Sequence, residues 1–141
     1  MSKFGKFLPS TQFEVAGEVF TFRLSRYWRL KLEKEYDMDV NRYYAAVCLE
    51  GTYVDEYKFG AVIWAMLNGG GHKISEEEAC DFIDMAIKTL GEGDHDKGYA
   101  KLFDYFMEAL ASAFMTESQY EEYKRLIEVY RSKNSEEEEK K

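Results

Sequence analysis

The chain has 141 residues and a formal net charge of −8; 45% of its residues are hydrophobic, and 21 are Tyr or Phe. A length of this order fits one domain that buries roughly two thirds of its unfolded surface, and so many large apolar groups exclude a disordered chain. No apolar run reaches the ~20 residues needed to cross a bilayer, and the opening MSKFGKFLPS lacks the apolar segment of a secretory signal, so a cytoplasmic protein without membrane contact is expected.

Residues 1–12, with Gly5 and the single proline, Pro9, read as a flexible arm ahead of one domain spanning 13–131. TQFEVAGEVFTFRL then alternates, with Phe13 and Val15 before a turn at Ala16 and Gly17 and Phe20, Phe22 and Leu24 after it. This is a hairpin pattern, in which Val19 beside Phe20 predicts a bulge or register shift. Two strands do not stand alone in water, so the hairpin must rest on helices.

Ser25 is placed to cap RYWRLKLEKEY, where Leu24, Trp28, Leu32 and Tyr36 recur every four residues as one helical face. After a break at Asp37 to Asn41, NRYYAAVCLEG predicts a short helix ending at Gly51. Asp55 can cap a third, whose stripe of Phe59, Val62, Ile63, Met66 and Leu67 ends at Asn68 and three glycines. Ser75 and Glu78 fit a capping box, and three glutamates in that first turn complement the helix dipole. Ala79, Phe82, Ile83, Ala86, Ile87 and Leu90 follow at helical spacing, with Gly91 predicted as the residue just past the helix end. GEGDHD joins this helix to another carrying Tyr99, Leu102, Phe103, Phe106, Met107, Leu110 and Phe114. Thr116 and Gln119 can cap a last helix, and SKNSEEEEKK, residues 132–141, reads as a disordered charged tail. The expected fold is mainly α: a small N-terminal β-hairpin followed by a bundle of five or six helices.

Catalytic and metal-binding readings find little footing. NGGGHK, residues 68–73, is no phosphate loop, which requires G-x-x-x-x-G-K-S/T leaving a strand so that backbone amides wrap the phosphates. Nor is it an oxyanion loop, because no G-x-S-x-G supplies a nucleophile. Cys48, Cys80, His72 and His95 show none of the paired spacings of a zinc site, and the two cysteines are expected as reduced, partly buried thiols. Asp94, His95 and Asp96 sit between glycines and read as a solvated turn and helix cap. His72 and Lys73 read as surface residues in a hinge between two helices. No enzyme, cofactor or metal is expected.

Tyr120, Tyr123, Ile127 and Tyr130 form the remaining candidate site. Helical spacing of apolar groups usually reports packing onto a core. Tyrosine in place of leucine keeps a partner-binding surface open, because Tyr is enriched at interfaces and each hydroxyl needs a polar neighbour.

VFTFRLS, LEKEYDM, FGAVIWAML and ISEEEACDFIDM together resemble the tail assembly chaperones of long-tailed, siphovirus-type bacteriophages and prophages. The likeness covers about residues 13–90. It implies a non-catalytic factor in the cytoplasm of the bacterial host, absent from the mature virion, that binds the tape measure protein and the tail tube protein during tail morphogenesis. The residues themselves leave two other readings open, an acidic nucleic-acid mimic and another helical protein-binding adaptor. Charge is unevenly spread: residues 1–42 hold 8 Lys/Arg against 6 Asp/Glu, and residues 43–141 hold 11 against 21. That balance disfavours nucleic acid as a partner and favours self-association of a basic front with an acidic neighbour.

Overall fold

A computed structural model describes residues 3–51 and 55–139. The protein is mainly α, with a small antiparallel hairpin near its N-terminus, as the sequence predicts. After a 3-10 turn at Gly5–Phe7 come β1 (Thr11–Val15) and β2 (Glu18–Phe22), then α1 (Arg26–Tyr36) and α2 (Val40–Tyr44). A five-residue π-helical turn, Ala45–Leu49, extends α2. α3 (Glu56–Gly69), α4 (Glu76–Gly91), α5 (His95–Phe114) and α6 (Glu117–Glu139) complete the described chain.

The hairpin turns at Ala16 and Gly17, with φ of 55° and 78°. Two positive φ values give the primed turn whose twist matches that of the strands. Pairing runs without interruption from Thr11↔Phe22 to Val15↔Glu18, so the bulge expected at Val19 is absent. Val19 simply faces outward opposite Glu14, while Phe13, Val15 and Phe22 are buried. Phe13 stacks on Tyr105 of α5, with centroids 4.4 Å apart and an 11° interplanar angle. Burying one face of the hairpin on helices supplies the support that two strands lack alone.

Helix starts follow local chemistry. The Asp55 carboxylate accepts from the backbone N–H of Tyr57 and Lys58, and Ser75 and Glu78 exchange both bonds of a capping box. Asp94 accepts from Lys97, and Thr116 and Gln119 reciprocate at the start of α6. Each such bond satisfies an N–H that has no partner within its helix. The end of α4 departs from expectation. Glu92, at φ 49°, takes the left-handed position assigned to Gly91. Gly91 instead lets α5 cross closely, since a Cβ there would lie 3.0 Å from Gly98 N and one on Gly98 would lie 1.8 Å from Ile87 O.

The glycine run at the end of α3 is a platform for β2, held too firmly for the hinge expected from sequence. A Cβ on Gly69 would come within 2.0 Å of Arg23 O, and one on Gly70 within 2.0 Å of Thr21 O. Arg23 N donates to Met66 O at 3.0 Å, and Thr21 N donates to His72 Nε2 at 3.1 Å. His72 therefore accepts from the strand and packs on Phe20, rather than standing on the surface as its polarity implies. Lys73 is exposed. The Asn68 side chain donates to Trp64 O and Ile74 O, and Trp64 Nε1 also donates to Ile74 O. These bonds fix the connection between α3 and α4 from both sides.

Phe22, Phe59, Phe106, Leu32, Met66 and Leu102 are among the largest fully buried side chains. Tyr43 is buried beside Phe106, yet its hydroxyl meets no hydrogen-bond partner among the described residues. Burial raises its pKa far above the phenol range, and Tyr99 and the carboxylates of Asp55 and Glu56 add to this. An orphaned buried hydroxyl costs free energy that a hydrogen atom does not. Tyr43→Phe is accordingly expected to raise unfolding stability by about 1 kcal/mol, read from chemical denaturation midpoints at constant m.

Two further expectations change, one about the C-terminal part and one about the cysteines. α6 runs on to Glu139, so residues 132–139 extend a helix where a disordered tail was expected. Glu and Lys are good helix formers, and a low-complexity charged run built from them need not be coil. Of the cysteines, Cys48 is half-buried, but Cys80 is exposed on the outer face of α4.

Candidate functional site

α6 leaves the bundle lightly attached. None of its side chains described here is buried, and only Tyr120, Tyr123 and Ile127 are half-buried. Most of a helix's stability in a protein comes from packing of one face, so the packed edge of α6 decides where it lies. That edge carries the 3-4-3 spacing of Tyr120, Tyr123, Ile127 and Tyr130, which places all four residues on one side.

All four line a groove of ≈ 680 Å³ between α5 and α6. Leu90 from the last turn of α4 and Tyr105 and Met107 from α5 complete its apolar lining, while Lys101, Asp104, Glu108, Lys124 and Glu128 form a rim of both signs. The Tyr105 ring is held by its stack on Phe13, so the hairpin supports one wall of the groove. Tyr130, at 65% exposure, stands open at the edge.

The hydroxyls differ in what they meet. Tyr120 is desolvated and faces the Glu108 carboxylate, and both effects hold its pKa above the usual phenol range. Lys124 lies 4.8 Å from the centroid of the same ring. The Tyr123 hydroxyl reaches the Cys48 thiol of the π-helical turn. Burial pushes that thiol up to about 11, with the Tyr123 contact opposing the shift, so Cys48 is a neutral thiol at pH 7. A neutral, shielded thiol is a packing group rather than a nucleophile.

The other sequence candidates do not converge. Asp94 caps α5, and His95 is exposed beside Asp96. His72 is 51 residues from Thr21 in sequence and serves the hairpin. Among the described residues, no three His, Cys, Asp or Glu side chains are grouped to hold a metal ion. No helix of the described residues is long and apolar enough to cross a membrane.

Sequence periodicity marked the α6 wall and missed the opposite one. Leu90 and Met107 read as ordinary members of core stripes, and Tyr105 lies off the main stripe of its helix. Nothing in the local spacing shows that α6 stands away from them. In comparisons with known proteins, no family model, no curated protein and no solved structure matches the chain.

Proposed function

We propose that this protein is a non-catalytic assembly chaperone that holds an amphipathic helix of a partner in the α5–α6 groove. The observation that carries this reading is the convergence of Tyr120, Tyr123, Ile127 and Tyr130 with Leu90, Tyr105 and Met107 on one open apolar channel rimmed by charges of both signs. An amphipathic helix presents anchors at i, i+3, i+4 and i+7, which suits a channel running between two helices. Tyr supplies large, amphipathic contact area, and the unbranched Met side chain adapts to different partners.

The resemblance of residues 13–90 to phage tail assembly chaperones supplies the identity of the partners. They are the tape measure protein and the tail tube protein, met in the cytoplasm of the bacterial host during tail morphogenesis. The protein then stays out of the mature virion. The genes beside its own offer one check: a tube gene before it and a very long tape measure gene after it are expected.

The direct test uses Tyr130→Ala and Met107→Asp in the full chain. Tyr130 is exposed, so its loss leaves the fold intact, and affinity for the tape measure protein in calorimetric titration is expected to fall at least ~10-fold for each variant. Unchanged affinity in folded variants would sink the groove as the binding site.

A further inference from the structure

Residues 3–8 form an exposed arm set apart from the α5–α6 groove, and their chemistry complements it. Phe4, Phe7 and Leu8 are 62%, 74% and 51% exposed. In a 3-10 turn, residues three apart eclipse, so Phe4 and Phe7 stand on one side, and Leu8 follows them in extended backbone. Pro9, with no N–H to give a ladder, separates this turn from β1, whose pairing begins at Thr11. The turn is closed by its own backbone, Phe7 N donating to Phe4 O and Leu8 N to Gly5 O, both at 3.1 Å. It protrudes: from residue 3 to residue 10, every position but Gly5 is exposed. Tyr27, Leu30 and Tyr57 are exposed as well, but on helices already packed into the bundle, whereas the arm is slender enough to enter a channel between two helices.

The groove supplies the matching surface, with Leu90, Met107, Tyr120, Tyr123, Ile127 and Tyr130 along its walls. Its rim sets Asp104, Glu108 and Glu128 against Lys101 and Lys124, and Lys124 lies 3.0 Å from Glu121, which leaves the acids in excess. The arm brings Lys3 and Lys6, and no acidic residue precedes Glu14. Apolar groups flanked by bases thus meet an apolar channel with surplus carboxylates. The arm of the same chain is turned elsewhere: a Cβ on Gly5 would lie 3.0 Å from Arg23 Nη1, and Arg23 N is bonded to Met66 O of α3.

We propose that the groove of one copy receives the arm of a second copy, with Phe4, Phe7 and Leu8 seated among the tyrosines and Met107 and the two lysines toward the rim carboxylates. This rests on the reading of the groove as a site for apolar segments, and it names the occupant of the resting state. One arm in one groove buries under about 1,200 Å² in total, so the contact is weak, concentration-dependent and displaceable. At high concentration the protein thereby keeps its aromatic channel out of water. A partner helix with a longer apolar face then displaces the arm by mass action.

Sedimentation velocity of the full chain over a concentration series reads this contact, and calorimetric titration with the tape measure protein reads the groove separately. An arm variant, Phe4→Ser with Phe7→Ser, and the groove variants Tyr130→Ala and Met107→Asp are each expected to weaken self-association at least ~10-fold. Mixing the arm variant with a groove variant restores part of it, because one keeps its groove and the other its arm. Circular dichroism confirms that the variants are folded. The arm variant keeps or gains affinity for the tape measure protein, since a competitor is gone, whereas the groove variants lose it. A monomer at every concentration, association indifferent to the arm variant or to both groove variants, or no recovery on mixing overturns the proposal. So does an arm variant whose effect is on binding to anionic vesicles, with self-association unchanged. Failure of the tape measure protein to bind any of these proteins counts against the functional reading alone.

Discussion

Gly70→Ala is expected to detach the hairpin from the helices and to cost at least about 3 kcal/mol of unfolding stability. The backbone of Gly70, at φ −83°, is open to any residue, so the requirement is steric. A methyl group there would sit 2.0 Å from Thr21 O and 2.7 Å from Thr21 C, and the listener to that clash is backbone, which cannot rotate aside. β2 must move, and the bonds from Thr21 to His72 and from Arg23 to Met66 go with it. Gly60→Ala is the control. It lies inside α3 with nothing among the described residues within 4 Å of its added Cβ, and it is expected to stabilise by roughly 0.5–1 kcal/mol through helix propensity. Denaturation curves of the two variants should therefore move in opposite directions. Equal, small shifts would show that β2 does not sit on the glycine run.

Phe59→Ala is expected to remove about 3–5 kcal/mol, a large share of the roughly 5–15 kcal/mol that holds a typical domain. Phe59 is fully buried, and its ring lies 4.8 Å from Phe106, 5.7 Å from Tyr99 and 6.3 Å from Phe103. Deleting it opens a cavity at the joint between α3 and α5 that rigid aromatic neighbours fill poorly. Phe59→Leu keeps much of the volume and should lose distinctly less. Thermal unfolding followed by circular dichroism separates the two, and a truncation to Ala costing under ~1 kcal/mol would show that the ring is not central to the core.

Elements whose cause is local were legible in the sequence. The capping boxes at Ser75 and Thr116 and the aspartate caps at positions 55 and 94 each depend on residues within three positions of one another. The apolar stripe of α3 reports burial through its own period. Features created by two distant segments were not legible. The role of His72 depends on a strand N–H elsewhere in the chain, and the need for Gly70 depends on the carbonyl of Thr21. Gly91 was read as a helix stop because that is its commonest local use, whereas its neighbour Gly98 explains it. For the groove, period placed Tyr120, Tyr123, Ile127 and Tyr130 on one edge. Whether that edge closes fully on α5 is decided by tertiary packing, which leaves Tyr130 exposed.

The separation between Thr21 and its acceptor His72 has a consequence for synthesis. The separation of 51 positions takes about 3–10 s to translate at roughly 5–20 residues per second. During that interval the strands carrying Phe13 and Phe22 have left the ribosome without the surface that later covers them. A two-stranded ribbon alone is marginal in water, and its unpaired apolar face is open to other nascent chains. Phe13 and Phe22 are covered by Phe82 of α4, and Phe13 also by Tyr105 of α5, so the hazard outlasts release of the α3 terminus and ends only once α5 has emerged.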